Sequence, residues 1–250
     1  MDRPGTAQTG ALPNLVVIGA MKCGTTSLHA YLDAHPDVAM SQPKELNFFF
    51  GPDDGGAGWS AGNWHRGPGW YAARFDAAAP VRGEASPGYT SPDHPEVAGR
   101  MARLIPGARL VNAVRDPIDR AVSQYWHHRR DGTENREPEE ALLDPASQYV
   151  SRGRYLERLT PFLATEAFAG RIVVVAREEL RDRPREAVRA LFARLGLADH
   201  WSAAMAERRN AAPEPPPVSA RVRQRLRAAL REDAERLREF TGQAFADWSI

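Results

Sequence analysis

The sequence predicts an α/β protein built in three layers, with a central parallel sheet covered by helices on both faces. Three observations carry that reading. Strand-like and helix-like segments alternate along the chain. Several strand segments are continuous apolar runs, as in residues 15–20 (LVVIGA) and 172–175 (IVVV). Runs of that kind are buried on both faces, as parallel strands are under two helical layers. With 250 residues, the chain can also bury roughly 70–75% of its unfolded surface, so its core requires neither a disulfide nor a metal.

Residues 1–12 read as a flexible leader and 13–250 as one domain. Residues 15–20 form the first strand, rich in β-branched side chains. Residues 25–35 follow as a helix, with Leu28, Tyr31 and Leu32 spaced i, i+3, i+4 and Pro36 ending it. Residues 38–40 make a second short strand. The Gly-, Trp- and Pro-rich stretch 51–70 has no period and reads as a long loop of the functional kind. A helical turn at 71–75 and a strand at 81–84 come next. Residues 95–105 read as a helix stopped by Pro106-Gly107, 109–115 (RLVNAVR) as a strand, and 118–130 as a helix with Ala121, Val122 and Tyr125 on one face. The polar stretch 131–147 reads as a loop and 155–168 as a helix. The IVVV run is the clearest buried strand. Residues 184–195 form an amphipathic helix closed by Gly196. A stiff proline-rich loop at 207–217 leads to a long Arg/Leu/Ala helix over 218–240. No internal repeat is present.

The net charge of +1, from 33 basic and 32 acidic residues, argues against a nucleic-acid partner recruited by bulk charge. The basic residues are 31 arginines and two lysines, Lys22 and Lys44. Where a solvated positive charge suffices, this chain uses arginine, so the two lysines stand out as compact point charges on flexible stems. The single cysteine, Cys23, excludes an intrachain disulfide framework and suits a reducing compartment. The first ten residues lack an apolar signal core, and no stretch approaches the roughly 18 apolar residues of a membrane span. The expectation is a cytoplasmic protein without a membrane partner. The arginine- and alanine-rich composition fits a high-GC bacterial genome.

The strongest motif is strand–loop–helix: Val16-Val17-Ile18-Gly19-Ala20-Met21-Lys22-Cys23-Gly24-Thr25-Thr26-Ser27. Successive backbone N–H groups and a helix N-terminus make an anion cradle. Gly19 and Gly24 let the backbone turn and approach the anion, and Thr25 and Thr26 offer hydroxyls and helix caps. The order differs from the Walker A pattern, because Lys22 stands two places before Gly24 instead of just after it. No later apolar run ends in a magnesium-binding aspartate. The loop reads as built for an anion without an obligatory metal, and no metal-ligand spacing occurs elsewhere.

This loop resembles the 5′-phosphosulfate loop of sulfotransferases that use 3′-phosphoadenosine 5′-phosphosulfate (PAPS), whose fold is a P-loop-like α/β sheet. Arg115-Asp116-Pro117-Ile118-Asp119-Arg120-Ala121-Val122-Ser123 resembles the family's 3′-phosphate motif, which implies that Arg115 and Ser123 grip that phosphate. Arginine suits the task through its planar fork, and Pro117 favours a first helical turn. Lys44-Glu45-Leu46-Asn47-Phe48-Phe49, with Gly69-Trp70-Tyr71 and Phe75, resembles the heparan sulfate sulfotransferase branch and its bacterial relatives. There the glutamate before a Phe-Phe pair is the catalytic base, a role that carries over to Glu45. Gly83-Glu84-Ala85-Ser86-Pro87-Gly88-Tyr89 resembles a further family segment, with Ala85 where many members have lysine. The Gly153-x-Tyr155 segment fits more loosely.

The resemblance implies in-line sulfuryl transfer to a hydroxyl or amine, releasing 3′,5′-adenosine bisphosphate (PAP), with no metal. Lys22 and Glu45 would be the catalytic pair. Lys22, Cys23, Gly24, Thr25, Thr26, Ser27, Arg115, Ser123 and Tyr155 would bind the donor. Arg208-Arg209-Asn210 reads either as a basic lid contributing Arg209 or as a solvated loop. Phe48, Phe49 and Phe50 read as core, with Phe49 also a candidate at the acceptor beside Lys44, Glu45, Trp70 and His127. The expected acceptor is a small molecule, a glycoside or a secondary metabolite, in a natural-product setting. A P-loop nucleotide kinase and a non-catalytic nucleotide-binding protein of the same fold are the alternatives.

Overall fold

The computed structural model describes residues 11–52, 61–144, 146–206 and 216–250. Five strands build one sheet: β1 (Leu15–Gly19), β2 (Val38–Met40), β3 (Val81–Ala85), β4 (Arg109–Val114) and β5 (Ile172–Ala176). Their order is β2-β3-β1-β4-β5 and every pairing is parallel. The predicted α/β class and parallel sheet are therefore present. All five residues of β1 are buried, as expected of the central strand in a covered sheet. Leu15 pairs with Gly83 on one side and Arg109 on the other. The chain runs outward from β1 to β2 and β3, then crosses to β4. Ligands of open α/β sheets bind at such a switch point, beyond the carboxyl ends of the strands.

Helix α1 (Thr25–Asp33) follows β1 and α2 (Gly67–Ala72) precedes β3. Next come α3 (Val97–Leu104), α4 (Pro117–Asp131), α5 (Pro138–Leu143), α6 (Gln148–Ser151) and α7 (Tyr155–Leu163). The rest are α8 (Arg177–Asp182), α9 (Pro184–Leu195), α10 (Ala203–Ala206) and α11 (Ala220–Thr241). The main core surrounds the sheet. A second cluster joins Ile118 and Tyr125 of α4 to Ala141 and Leu142 of α5 and to Val222, Leu226 and Leu230 of α11. Helix α11 thus covers the apolar stripe of α4. No helix among the described residues is long and apolar enough to cross a membrane.

Four expectations about elements are corrected. The stretch 51–70 is not all loop: a 3-10 turn at Trp64–Arg66 and α2 occupy its second half. Pro68 stands in the first turn of α2, where a missing N–H costs nothing. The expected turn at 71–75 is the tail of that helix. The stretch 131–147 contains α5, which also starts at a proline and carries Glu139 and Glu140 in its first turn, against the positive end of the helix dipole. The helix expected over 155–168 ends at Leu163, because Thr165 takes extended backbone before the 3-10 turn Glu166–Phe168. Helix α8, directly out of β5, has no counterpart in the sequence reading. Arg209 and the proline-rich stretch through 215 lie outside the described residues.

Candidate active site

Residues 20–24 form the turn between β1 and α1. The Ala20 N–H bonds the Ala113 carbonyl at 2.7 Å, which ties the turn to β4. Gly19 has to be glycine, because a Cβ there would lie 2.4 Å from Asn112 Oδ1 and 2.5 Å from Thr90 Oγ1. Gly24, at φ +82°, occupies the N-cap position of α1 in the left-handed region. No side chain caps that helix. The threonines expected to cap it belong to its first turn, with Thr25 buried and Thr26 exposed. Lys22 is itself left-handed at φ 70°, a conformation costing a side-chain-bearing residue roughly 1–2 kcal/mol. Such strain recurs where a functional group has to point in a fixed direction. Cys23 is fully buried, and burial, partly offset by a contact of 3.5 Å with Tyr155 Oη, pushes its thiol up to about 11. Its side chain is packing, which leaves only its backbone to face an anion.

At the end of β4, Asp116 caps α4 by accepting from the Ile118 and Asp119 N–H groups at 2.8 and 3.1 Å. Pro117 opens the helix and Ser123, half-buried, lies on its second turn. Tyr155 is corrected as a donor contact. It is 1% exposed, donates to the Arg115 carbonyl at 2.8 Å and accepts the Arg115 N–H at 3.3 Å. With Cys23 on its other side, it braces the loop against Arg115 from behind.

Arg177, at the start of α8, is a residue the sequence reading missed. Its Cγ would stand 3.4 Å from a Cβ at Gly24. Lys22 sits below the ordinary lysine range because of burial first, then the charges of Arg130, Arg115 and Arg177. Arg177 is lowered by burial and by Arg115. Among the described residues none of these four cations forms an ion pair with a carboxylate. Asp131 acts on Lys22 and Glu178 on Arg177 in the opposite sense, but more weakly than the leading causes. Mutually repelling cations held without an ion-pair partner favour a bound anion.

The Lys44–Glu45 segment crosses near the end of β3. Glu45 has φ 66°, its N–H bonds the Ala85 carbonyl at 3.1 Å, and its carboxylate pairs with Lys44 Nζ at 2.5 Å. The glutamate side chain remains 48% exposed. Phe49 is corrected as an acceptor contact: it is 0% exposed, enclosed by Phe48, Trp64, Tyr71 and Tyr89. Trp70 stacks on Phe48 and lies between the guanidinium groups of Arg66 and Arg74, at 4.6 and 4.5 Å. His127 is half-buried on α4, and its pKa is lowered by burial and by Lys22, which places it beside the anion loop.

The fold and this concentration of cations define a P-loop-like α/β protein with a positively charged loop at the carboxyl edge of its sheet. The chain belongs to the sulfotransferase family, which it matches over residues 13–203. It is 28% identical to a crystal structure of a sulfotransferase from Alicyclobacillus acidocaldarius, with a TM-score of 0.77, covering 96% of this chain and 100% of that one. It shares the fold of the sulfotransferase domain from the Synechococcus PCC 7002 olefin synthase, at 18% identity and a TM-score of 0.59, over 98% of each chain. It is 30% identical over 210 residues to the bifunctional heparan sulfate N-deacetylase/N-sulfotransferase 2 of Bos taurus. That match covers 74% of this chain and 22% of the other, so the chain spans about a fifth of that relative.

Proposed function

We propose that the protein transfers a sulfuryl group from PAPS to a hydroxyl or amine of a carbohydrate-like or secondary-metabolite acceptor. The observation that carries this reading is the set of Lys22, Arg115 and Arg177 at the carboxyl ends of β1, β4 and β5, with Arg130 from the last turn of α4, none of them ion-paired among the described residues. PAPS carries anionic groups at both ends of its ribose, and two separate elements supply cations to meet them. The loop N–H groups from Cys23 to Ser27 suit the 5′-phosphosulfate. Arg115 and Ser123 suit the 3′-phosphate, and Arg177, beside Gly24 and close enough to Arg115 to be lowered by it, adds charge to the site.

The acceptor oxygen or nitrogen attacks sulfur, and the bond from sulfur to the bridging oxygen breaks. The electron pair leaves on the phosphate of PAP, and the acceptor proton passes to Glu45. Positioning and charge stabilisation supply most of the acceleration in transfers of this type. Lys22 meets the charge building on the leaving phosphate. Lys44 pairs with Glu45 at 2.5 Å and fixes where its carboxylate stands. Trp70 and His127 border the acceptor side. The heparan sulfate N-sulfotransferase activity of the bovine relative supports a carbohydrate amine or alcohol as acceptor class.

Calorimetry with PAP tests the donor assignment. Binding of PAP with little response to AMP is expected, and binding of ATP–magnesium without PAP would overturn this reading in favour of a kinase. Glu45→Gln is expected to lower turnover by roughly 10²–10⁴-fold while sparing PAP affinity. Turnover within threefold of wild type would remove Glu45 as the base.

A further inference from the structure

One buried acid takes no part in the chemistry above. Glu84, on β3, is 0% exposed, and an ion so placed is costly unless donors surround it. Three hydroxyls do. Tyr71 Oη and Tyr89 Oη donate to Oε1 at 2.6 and 2.7 Å, and Ser86 Oγ donates to Oε2 at 3.2 Å. Two of these hydroxyls also face the base-bearing segment. Ser86 Oγ accepts the Asn47 N–H at 3.0 Å, and Tyr89 Oη accepts the Phe48 N–H at 2.8 Å.

A hydroxyl has one proton. With backbone N–H groups on their lone pairs, Ser86 and Tyr89 direct their protons to Glu84, and Tyr71 adds a third. The ionised carboxylate accepts all three. A neutral carboxyl has a proton of its own to place, and giving it to any of these hydroxyls leaves a buried proton without an acceptor. Protonation therefore disturbs the same hydroxyls that hold residues 47 and 48.

We propose that Glu84 is a positioning residue for Glu45: through Ser86 and Tyr89 its carboxylate holds residues 45–48 in the turn that presents Glu45, and the hold tightens as Glu84 ionises. The catalytic meaning of this device rests on the assignment of Glu45 as base. Burial raises the Glu84 pKa to about 7, with the hydrogen bonds from Tyr71, Tyr89 and Ser86 pulling the other way. The groups that face it are Tyr71 from α2 and Ser86 and Tyr89 from the turn after β3. Its strand partner Val16 on β1 is apolar. Among the described residues no cation acts on it. Its ionisation thus falls where a modest change of pH alters the turn.

Amide hydrogen exchange of Asn47 and Phe48 in the free protein tests this, read as protection relative to intrinsic rates. Wild type is expected to gain protection by about tenfold between pH 6 and 8, with an inflection near 7, if opening of this turn is local. Glu84→Gln is expected to give a profile without the inflection. Tyr71→Phe removes a donor from the carboxylate, keeps the ring that stacks on Phe48 and makes no hydrogen bond to residues 45–48, and is expected to move the inflection to higher pH. A wild-type profile without an inflection, or an unchanged inflection in Glu84→Gln, overturns the proposal. Should Glu84→Gln not fold, an unmoved inflection in Tyr71→Phe overturns it. A brace that merely adds stability would move the melting temperature and leave no titration at these amides. Glu45→Gln is expected to keep the wild-type exchange profile, so failure of the base assignment appears in its turnover and failure of this proposal in the amides.

Discussion

Three cations reach the anion loop from three different strand ends: Lys22 after β1, Arg115 after β4 and Arg177 after β5. The first two were legible in the sequence because each sits in a motif whose spacing is set by one turn. Arg177 was not, since its neighbours Gly24 and Arg115 are far away along the chain and adjacent only in space. Arg115→Ala is expected to weaken PAP binding by roughly 10- to 100-fold, the range of a lost hydrogen bond to a charged group. Arg177→Ala is expected to weaken it as well, by a smaller factor, and calorimetry in one buffer ranks the two. An unchanged PAP affinity in Arg177→Ala would remove it from the donor site. The burial of Tyr155 was hidden for the opposite reason, and Phe49 read as core and as acceptor contact at once. An aromatic residue beside a motif reads the same whether it faces ligand or core, and only packing separates the two.

Among the elements, the strands were the most legible, because long apolar runs have one place to go in a covered sheet. The short helices were the least. Helix α2 is Gly-Pro-Gly-Trp-Tyr-Ala, a sequence of poor intrinsic propensity. It is held by contacts no local pattern announces: Tyr71 lies parallel to Phe48 at 4.1 Å and edge-on to Phe49 at 5.2 Å. The start of α4 is the element on which the proposed donor site leans most. Asp116 fixes where that helix begins and therefore how far Ser123 stands from Arg115. Asp116→Ala is expected to destabilise the protein by about 1 kcal/mol, the usual worth of an N-cap. It should also weaken PAP binding, since the helix start is no longer fixed. Urea unfolding and calorimetry on the same sample separate the two effects, and intact PAP affinity would mean that the cap serves stability alone.

At the scale of the whole molecule, Glu84 sets stability against function. Its pKa near 7 in the fold exceeds the ordinary 4.5, so the native state binds that proton more tightly than the unfolded chain does. The stabilisation this gives is complete below pH 4.5 and is lost as pH rises through 7. The size is on the order of a few kcal/mol at full burial. Thermal unfolding should therefore show stability declining across that window, and Glu84→Gln should flatten the decline and unfold later than wild type at pH 8. A wild-type slope in the variant would mean that another group carries the dependence. The parallel sheet and its layers followed from the sequence, whereas this trade did not. Nothing in Gly83-Glu84-Ala85-Ser86 says that the acid points inward or that Tyr71 closes over it.

The Ser249 N–H bonds Asp116 Oδ2, and Trp248 Nε1 donates to Glu178 Oε2, whose other oxygen accepts the Asp116 N–H. During synthesis on the ribosome, the segment holding Arg115 emerges long before these two residues. A nascent chain can lay down its strands early, yet it lacks the clasp on the head of α4 until residues 248 and 249 have left the exit tunnel. A grip on the proposed donor would on that account mature only after residues 248 and 249 have emerged, well after the strands. A fusion that pulls those residues away should leave a folded sheet with a slackened grip on PAP.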